Sequence, residues 1–277
     1  MSRSLEHSIR GLGGAAPPTL LPSVLQRVGL GFWYGSWRSI LGPMFVAYGP
    51  AGLVAIRPAG EPAAFEGWFG SWQGRSVRPV DPLPERLAAR IAASLKGNRG
   101  RIEVDLRALT GFQRDVLGAA RRIPRGEVRT YGWVAREIGR PGAVRAVGSA
   151  LARNPIPLVI PCHRVLRGDW QVGEYSCGGP AAKRTVLAAE GLGPESLEEL
   201  SRGGVRFHGS DTTRIFCLPT CRHARRTQPR HRVAFRSEAD ARRAGYRPCP
   251  VCRPVLARPQ VGGQGGESRP SRLGPRG

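Results

Sequence analysis

Two short apolar runs, at 44–48 and 53–56, flank Gly49-Pro50-Ala51-Gly52. Apolar stretches of that length around a Gly/Pro break predict a β-hairpin with a four-residue loop. From Pro84 to Lys96 the period lengthens: Leu87, Ile91 and Leu95 recur every four residues and would share one helix face. Residues 102–106 read as one more strand, which makes this stretch a small α+β unit. The residues before it, 1 to 34, are rich in Gly, Pro, Ser and Leu without a period and are expected to form a flexible leader.

Further on, the pattern turns helical. Thr110-Gly111-Phe112-Gln113 has the capping-box order and opens a helix with Phe112, Val116, Leu117 and Ala120, ending before Pro124 and Gly126. Residues 131–138 place Val134, Ala135 and Ile138 on one face and stop at Gly139; the next helix runs from near Pro141 to about Arg153, before Asn154-Pro155. Two helices joined by a turn of three to four residues make a helix-turn-helix candidate. In the second, Val144, Val147 and Leu151 form the expected buried face, leaving Arg145, Gly148 and Ser149 on another. So small a face either lies close to a nucleic-acid duplex or admits a neighbouring helix. An apolar run at 157–161 delivers Cys162, a helix with Lys183, Val186 and Leu187 leads to Glu190-Gly191, and 192–204 reads as a polar connection.

Charge narrows the partner. The 277 residues carry 43 Lys+Arg against 20 Asp+Glu, a formal net charge of +23, which suits a polyanion and first of all nucleic acid. From Ser201 onward there are 17 arginines against four acids. No run of about 18 apolar residues is present and no secretory signal pattern opens the chain, so a cytoplasmic protein is expected. The shifts in pattern divide the chain into a leader (1–34), an N-terminal subdomain (35–108), a largely helical domain that contains Cys162 (109–195), a linker (196–204), a cysteine-rich domain (205–255) and a disordered basic tail (256–277).

A thiol reacts as its thiolate, so a nucleophilic cysteine needs a base or positive surroundings. Cys162 is followed by His163 and Arg164. Adjacent side chains point different ways, so the imidazole could act on the thiol only if the turn bends back or a water bridges them. The other cluster, Cys217-x3-Cys221 and Cys249-x2-Cys252 separated by 27 residues, offers four soft ligands in two tight pairs, as tetrahedral Zn²⁺ takes. Disulfides or free thiols are the alternative. His208, His223 and His231 are spare donors that a complete four-cysteine shell does not need.

Residues 40–191 resemble the O6-alkylguanine-DNA alkyltransferases, a family that includes the C-terminal domain of bacterial Ada. The resemblance is carried by Pro161-Cys162-His163-Arg164, Tyr131-Gly132-Trp133-Val134-Ala135, Arg145-Ala146-Val147-Gly148-Ser149-Ala150, Asn154-Pro155, Val172-Gly173-Glu174-Tyr175-Ser176 and Glu190. It implies an α+β fold: a ribonuclease-H-like N-terminal subdomain, then a helix-turn-helix catalytic subdomain. It also implies that the damaged nucleotide is flipped into a pocket. Arg145 would fill the vacated space, with Gly148 and Ser149 against the duplex, and Tyr131 would assist the rotation. The carbonyls of Cys162 and Val165 would read the base, and Ser176, beside Tyr175, would donate to the alkylated oxygen. Glu190, His163 and a water would ionise Cys162, with Asn154 ordering the turn. The thioether formed is not hydrolysed, so each molecule reacts once. Cys177 follows Ser176 where the family goes directly to Gly-Gly, one extra residue in the pocket lid.

Residues 212–221 and 235–252 resemble the N-terminal zinc domain of Ada, here placed after the alkyltransferase part instead of before it. In that family the first cysteine is both zinc ligand and acceptor of a methyl group from DNA methylphosphotriesters; its counterpart is Cys217, and Arg247 would hold the DNA backbone. Arg214 stands where Ada has glycine, and Ada's intervening transcription-factor domain is absent. Together the two resemblances imply a single-turnover methylated-DNA–protein-cysteine methyltransferase that contains Zn²⁺. It would act as a monomer, near the nucleoid and away from membranes, on double-stranded DNA carrying O6-alkylguanine, O4-alkylthymine or methylphosphotriesters. The alternative is a damage sensor or transcription regulator whose zinc module only binds DNA. A Cys/His hydrolase would leave the basic charge and the Arg145 face without a purpose.

Overall fold

The computed structural model describes residue 24 and residues 31–80, 82–97 and 102–255. Most of the expected leader, and the tail at 256–277, lie outside the described residues. The first layer is an antiparallel meander of β1 (Trp33–Ser39), β2 (Gly42–Gly49) and β3 (Gly52–Pro58). Pairing continues to Gly49 opposite Gly52, so the hairpin loop is Pro50-Ala51, two residues shorter than expected. Gly52 takes φ +121°, and a Cβ there would lie 2.4 Å from the Glu103 carbonyl oxygen, so a glycine is required. Ala47 faces Ala55 while Tyr48 faces Leu53, which makes Val54 the extra residue of a bulge. The bulge sends Leu53 and Ile56 into the main core with Met44 and Val46, and Val54 and Ala55 to the opposite face with Phe45 and Ala47.

On that opposite face lies α1 (Pro62–Gln73), which begins on a proline and buries Phe65 and Phe69. The Phe65 ring sits 4.8 Å from Tyr34 and 5.2 Å from Phe45. β4 (Arg78–Pro79) then returns parallel to β1, giving the strand order β3-β2-β1-β4. Helix α2 (Glu85–Leu95) forms where the four-residue spacing places it and buries Ile91. Residues 102–106 do not form the expected strand. Val104 makes a single bridge to Leu53, secured by Leu53 N–H to the Glu103 carbonyl (2.9 Å) and Asp105 N–H to the Leu53 carbonyl (2.7 Å).

The second layer holds α3 (Gly111–Arg121), α4 (Tyr131–Glu137) and α5 (Val144–Ala152). The Thr110 hydroxyl accepts from Gln113 N–H at 3.3 Å while the Gln113 side chain accepts from Thr110 N–H at 3.0 Å, the reciprocal cap that starts α3. β5 (Arg129–Thr130) runs into α4, whose cap is the Thr130 hydroxyl, 3.1 Å from Trp133 N–H. The link between α4 and α5 occupies 138–143, longer than expected because α5 starts at Val144 and not near Pro141. Its buried face is Val147, Ala150 and Leu151, whereas Val144 is 41% exposed. β6 (Val165–Leu166) pairs parallel with β5, and α6 (Gly179–Ala189) follows.

Much of the expected connection at 192–204 is helix α7 (Pro194–Arg202), which places Leu197 in the main core. β7 (Phe207–Ser210) lies between β8 (Ile215–Cys217) and β9 (Arg232–Phe235), antiparallel to both, and β10 (Arg247–Pro248) pairs parallel with β8. Helices α8 (Arg222–Arg226) and α9 (Glu238–Arg243) flank this sheet, and Phe216, Phe235, Ala241 and Tyr246 form its own small core. The four cysteines pack instead into the main core of the preceding domain. No helix among the described residues is long and apolar enough to cross a membrane.

Candidate functional site

Cys162 opens a single turn of 3-10 helix, Cys162–Arg164, between the apolar run and β6, and is 6% exposed. Asn154, just beyond α5, donates to the Ile160 carbonyl (2.9 Å) and to Cys162 Sγ (3.1 Å), and its oxygen accepts from Ile156 N–H (3.0 Å). One side chain thus closes the 154–162 loop and fixes the sulfur. Burial pushes the Cys162 thiol up, while the Asn154 hydrogen bond and the Lys183 ammonium favour its thiolate. Lys183 is itself buried; its Nζ donates to the Val165 carbonyl at 2.8 Å, and desolvation brings it down to about 8.

Glu190 at the end of α6 joins the next two residues of the turn. Its carboxylate lies 3.0 Å from His163 Nε2 and accepts from Arg164 Nη2 (2.7 Å) and Nε (2.8 Å). Arg164 also donates to the Ile123 carbonyl at 2.7 Å. Burial alone would raise the Glu190 carboxyl, but these hydrogen bonds outweigh it and hold it at about 2. Burial lowers His163, so the imidazole is neutral near pH 7. With a carboxylate at Nε2, the neutral ring carries its proton there, and Nδ1 is a buried acceptor with no hydrogen-bond partner among the described residues. Tyr175 is buried with its ring 6.2 Å from His163 and its hydroxyl likewise unpartnered; burial first, then the Cys162 charge, raises its phenol.

Tyr131 is half-buried at the start of α4, and Gly148 of α5 faces it: a Cβ on Gly148 would meet the Tyr131 ring at 3.9 Å. Arg145 and Ser149 are exposed on the same helix. Exposure of Val144 widens this face beyond the small residues that the spacing singled out. The Cys162 carbonyl accepts from Val165 N–H and the Val165 carbonyl from Lys183 Nζ, so each of the two carbonyls expected to read the base already holds one donor. Ser176, exposed on the turn before α6, and the buried Cys177 both line a cleft with Arg57, Trp68 and Asn154. Burial pushes the Cys177 thiol up to about 11.

The second cluster is assembled by the small sheet. Cys217 ends β8, Cys221 caps α8, and Cys249 and Cys252 follow β10. Their sulfurs all lie within 4.8 Å of one another and all four residues are buried. Tetrahedral bonds of ~2.3 Å to Zn²⁺ need sulfurs roughly 4 Å apart, so this donor set fits zinc. No histidine belongs to the cluster, and His231 is paired with Asp211 at 2.9 Å. Cys217 and Cys249 line a cleft of about 230 Å³ with His208, Ser210, Thr213 and Ile215. The Cys252 backbone carbonyl accepts from the Trp133 indole of the neighbouring domain at 2.9 Å, and Cys252 Sγ accepts from Leu218 N–H at 3.4 Å. Arg247 is exposed, and its backbone N–H is bonded to the Arg214 carbonyl at 2.8 Å. Arg214 adopts φ +52° with its guanidinium 5.2 Å from the Tyr246 ring centre, so arginine occupies a left-handed position that suits the glycine of Ada.

Sequence reasoning missed the roles of Arg164 and Lys183. Arg164 sits beside the cysteine and could have been suspected as the carboxylate's partner. Nothing local betrays that the Lys183 ammonium reaches back to the Val165 carbonyl.

Comparison with known proteins gives two regions of the chain their class. Residues 111–192 match the family model described as 6-O-methylguanine DNA methyltransferase, DNA binding domain, and residues 202–255 match the metal binding domain of Ada. The chain therefore carries a domain of the methylguanine-DNA methyltransferase family followed by an Ada-type metal-binding domain. A methylated-DNA–protein-cysteine methyltransferase of Mycolicibacterium paratuberculosis is 47% identical over 106 residues, covering 38% of this chain and 62% of that protein. The protein of the same name from Salmonella typhimurium is 43% identical over 111 residues, 39% of this chain and 64% of that one. This chain thus spans somewhat less than two thirds of the length of these relatives. A crystal structure of Mycobacterium tuberculosis OGT in complex with DNA is 32% identical, covering 60% of this chain and 99% of that chain, with a TM-score of 0.48.

Proposed function

We propose that this protein repairs alkylated double-stranded DNA by taking the alkyl group of O6-alkylguanine onto Cys162, once per molecule, with O4-alkylthymine as a further substrate. The observation that carries the reading is the ordered set around Cys162: Asn154 on the sulfur at 3.1 Å, and Glu190 on His163 at 3.0 Å, leaving Nδ1 as a buried acceptor. A water between Nδ1 and the thiol would take the proton, the thiolate would attack the alkyl carbon, and the C–O6 bond would break with its electrons on the guanine oxygen. Tyr131, Tyr175, Ser176 and the carbonyls of Cys162 and Val165 would hold the flipped base. Arg145, with Gly148 and Ser149, would occupy the duplex. The monomer would work at the nucleoid in the cytoplasm.

A second acceptor is favoured by the position of Cys217 on the open side of the metal cluster. Bound zinc would keep the four thiols ionised at neutral pH. Cys217 would then attack the methyl carbon of a methylphosphotriester, releasing the phosphodiester anion, while Arg247 holds the backbone. Loss of one thiolate charge lowers the repulsion between this face and phosphate, so the methylated module would bind DNA more tightly. The competing reading is a damage sensor whose zinc module only binds.

One experiment separates them: the protein is incubated with duplexes bearing either O6-methylguanine or a methylphosphotriester, and the methyl group is mapped by peptide mass spectrometry. The expected result is methyl on Cys162 from the first and on Cys217 from the second. An unmodified Cys162 under excess O6-methylguanine DNA overturns the main reading.

A further inference from the structure

The metal module is not a freely tethered unit. Two of its ligands stand in the interface with the segment that presents Tyr131. Thr220, one residue before Cys221, accepts from Val128 N–H at 3.0 Å, with its hydroxyl 3.3 Å from the Val128 carbonyl, all of it buried. The Trp133 indole donates to the Cys252 carbonyl at 2.9 Å, also buried. Glu127, 2% exposed, is held by Arg129 at 2.6 Å and accepts Arg222 N–H, just after Cys221, at 3.1 Å. Arg136 reaches the Pro254 carbonyl at 3.0 Å, and Arg253 pairs with Glu137. Val128 N–H, the Trp133 indole and the Glu127 carboxylate thus find hydrogen-bond partners in the metal module.

The same segment borders the alkyl-acceptor site from the other side. Arg129 and Thr130 pair with Val165 and Leu166, directly after the Cys162–Arg164 turn, and Thr130 caps the helix that begins at Tyr131. Gly126 N–H points at the Glu190 carboxylate, 3.4 Å away.

We propose that the metal module is a positioning element for the Cys162 reaction: Thr220 and the chain around Cys221 and Cys252 hold segment 126–133, and through it Tyr131 and the Glu190 edge, in the reactive arrangement. Filling or emptying the cluster then changes the rate at Cys162, and by reciprocity damaged DNA in the pocket changes how tightly the cluster is held. This rests on the reading of Cys162 as alkyl acceptor.

Thr220→Val removes the hydroxyl from a buried site and leaves Val128 N–H without its acceptor; Thr220→Ser keeps the hydroxyl. Two measurements on the zinc-loaded full chain are compared: amide exchange of the peptide covering 126–137, and the single-turnover rate of methyl transfer from a saturating O6-methylguanine duplex. For Thr220→Val the expected results are exchange at 126–133 faster by about tenfold and transfer slower by roughly three- to tenfold. Affinity for undamaged duplex should be unchanged, and Thr220→Ser should restore both values. Chelation of zinc should give a larger effect in the same direction. Unchanged exchange in the valine variant and the chelated protein overturns the proposal, as does faster exchange with an unchanged transfer rate. If the unaltered protein never methylates Cys162, the functional reading falls, while the exchange arm still reports whether the module holds the segment.

Discussion

Asn154 donates to the sulfur of Cys162 at 3.1 Å from the same amide nitrogen that holds the Ile160 carbonyl at 2.9 Å, so the aim of the nucleophile and the shape of its loop depend on one side chain. A hydrogen bond to a charged group contributes about 1.5–3 kcal/mol. Asn154→Ala should therefore raise the apparent pKa of Cys162, read from its alkylation rate against pH, and slow transfer from O6-methylguanine by roughly 10- to 100-fold. Loss of the Ile160 and Ile156 bonds should lower the Tm as well. An unchanged pH profile would show that Asn154 only shapes the loop.

Glu190 should make the fold acid-sensitive. Burial works to raise its carboxyl, but His163 and Arg164 hold it at about 2 against an ordinary 4.5. A carboxyl lower in the folded than in the unfolded chain stabilises the fold above its unfolded value, and that contribution disappears as pH falls through the folded value. Urea unfolding should thus show stability lost between pH ~4.5 and ~2, by up to roughly 3 kcal/mol from this group. Glu190→Gln should remove this slope and, by leaving Arg164 and His163 without their anion, also slow transfer at pH 7.

What was legible in the sequence is what is local. The Thr110 cap, each of the two close cysteine pairs and the turn at Cys162 depend on residues a few positions apart, and the structure forms all of them. The first strand and α1 were missed because their burial comes from aromatic pairs across the sheet, such as Tyr34 with Phe65, and not from a clean period. Val144 breaks the expected helix face because α5 starts there and its side chain has no neighbour to cover it. The bond from Trp133 to Cys252 spans 119 residues, and no spacing rule could announce it.

Position narrows the sulfurs open to a methyl group from the DNA backbone to two, of which Cys217 is the proposed acceptor. Cys217 and Cys249 border the open cleft, while the Cys252 carbonyl is bonded to Trp133 and its sulfur accepts the Leu218 N–H, which draws charge from it. Cys217→Ser should abolish methyl uptake from a methylphosphotriester duplex and leave transfer to Cys162 measurable. A methyl group found on Cys252 would contradict the geometry. Removal of zinc should lower the melting temperature of the alkyltransferase part too, because the cysteines share its core.

Substitution of Arg145 should separate reading of the duplex from chemistry at the sulfur. Its side chain is exposed on α5, and exposed substitutions of this kind change stability by no more than about 0.5 kcal/mol. If the guanidinium fills the space left by a rotated nucleotide, its loss costs only the substrates that must be unstacked. Arg145→Ala should therefore slow transfer from an O6-methylguanine duplex by at least tenfold. Reaction with the free alkylated base, which needs no rotation, should proceed at the unaltered rate, with the Tm unchanged. Equal slowing with both substrates would mean that Arg145 acts on the pocket itself, and the assignment of α5 as the helix that enters the duplex would have to be withdrawn.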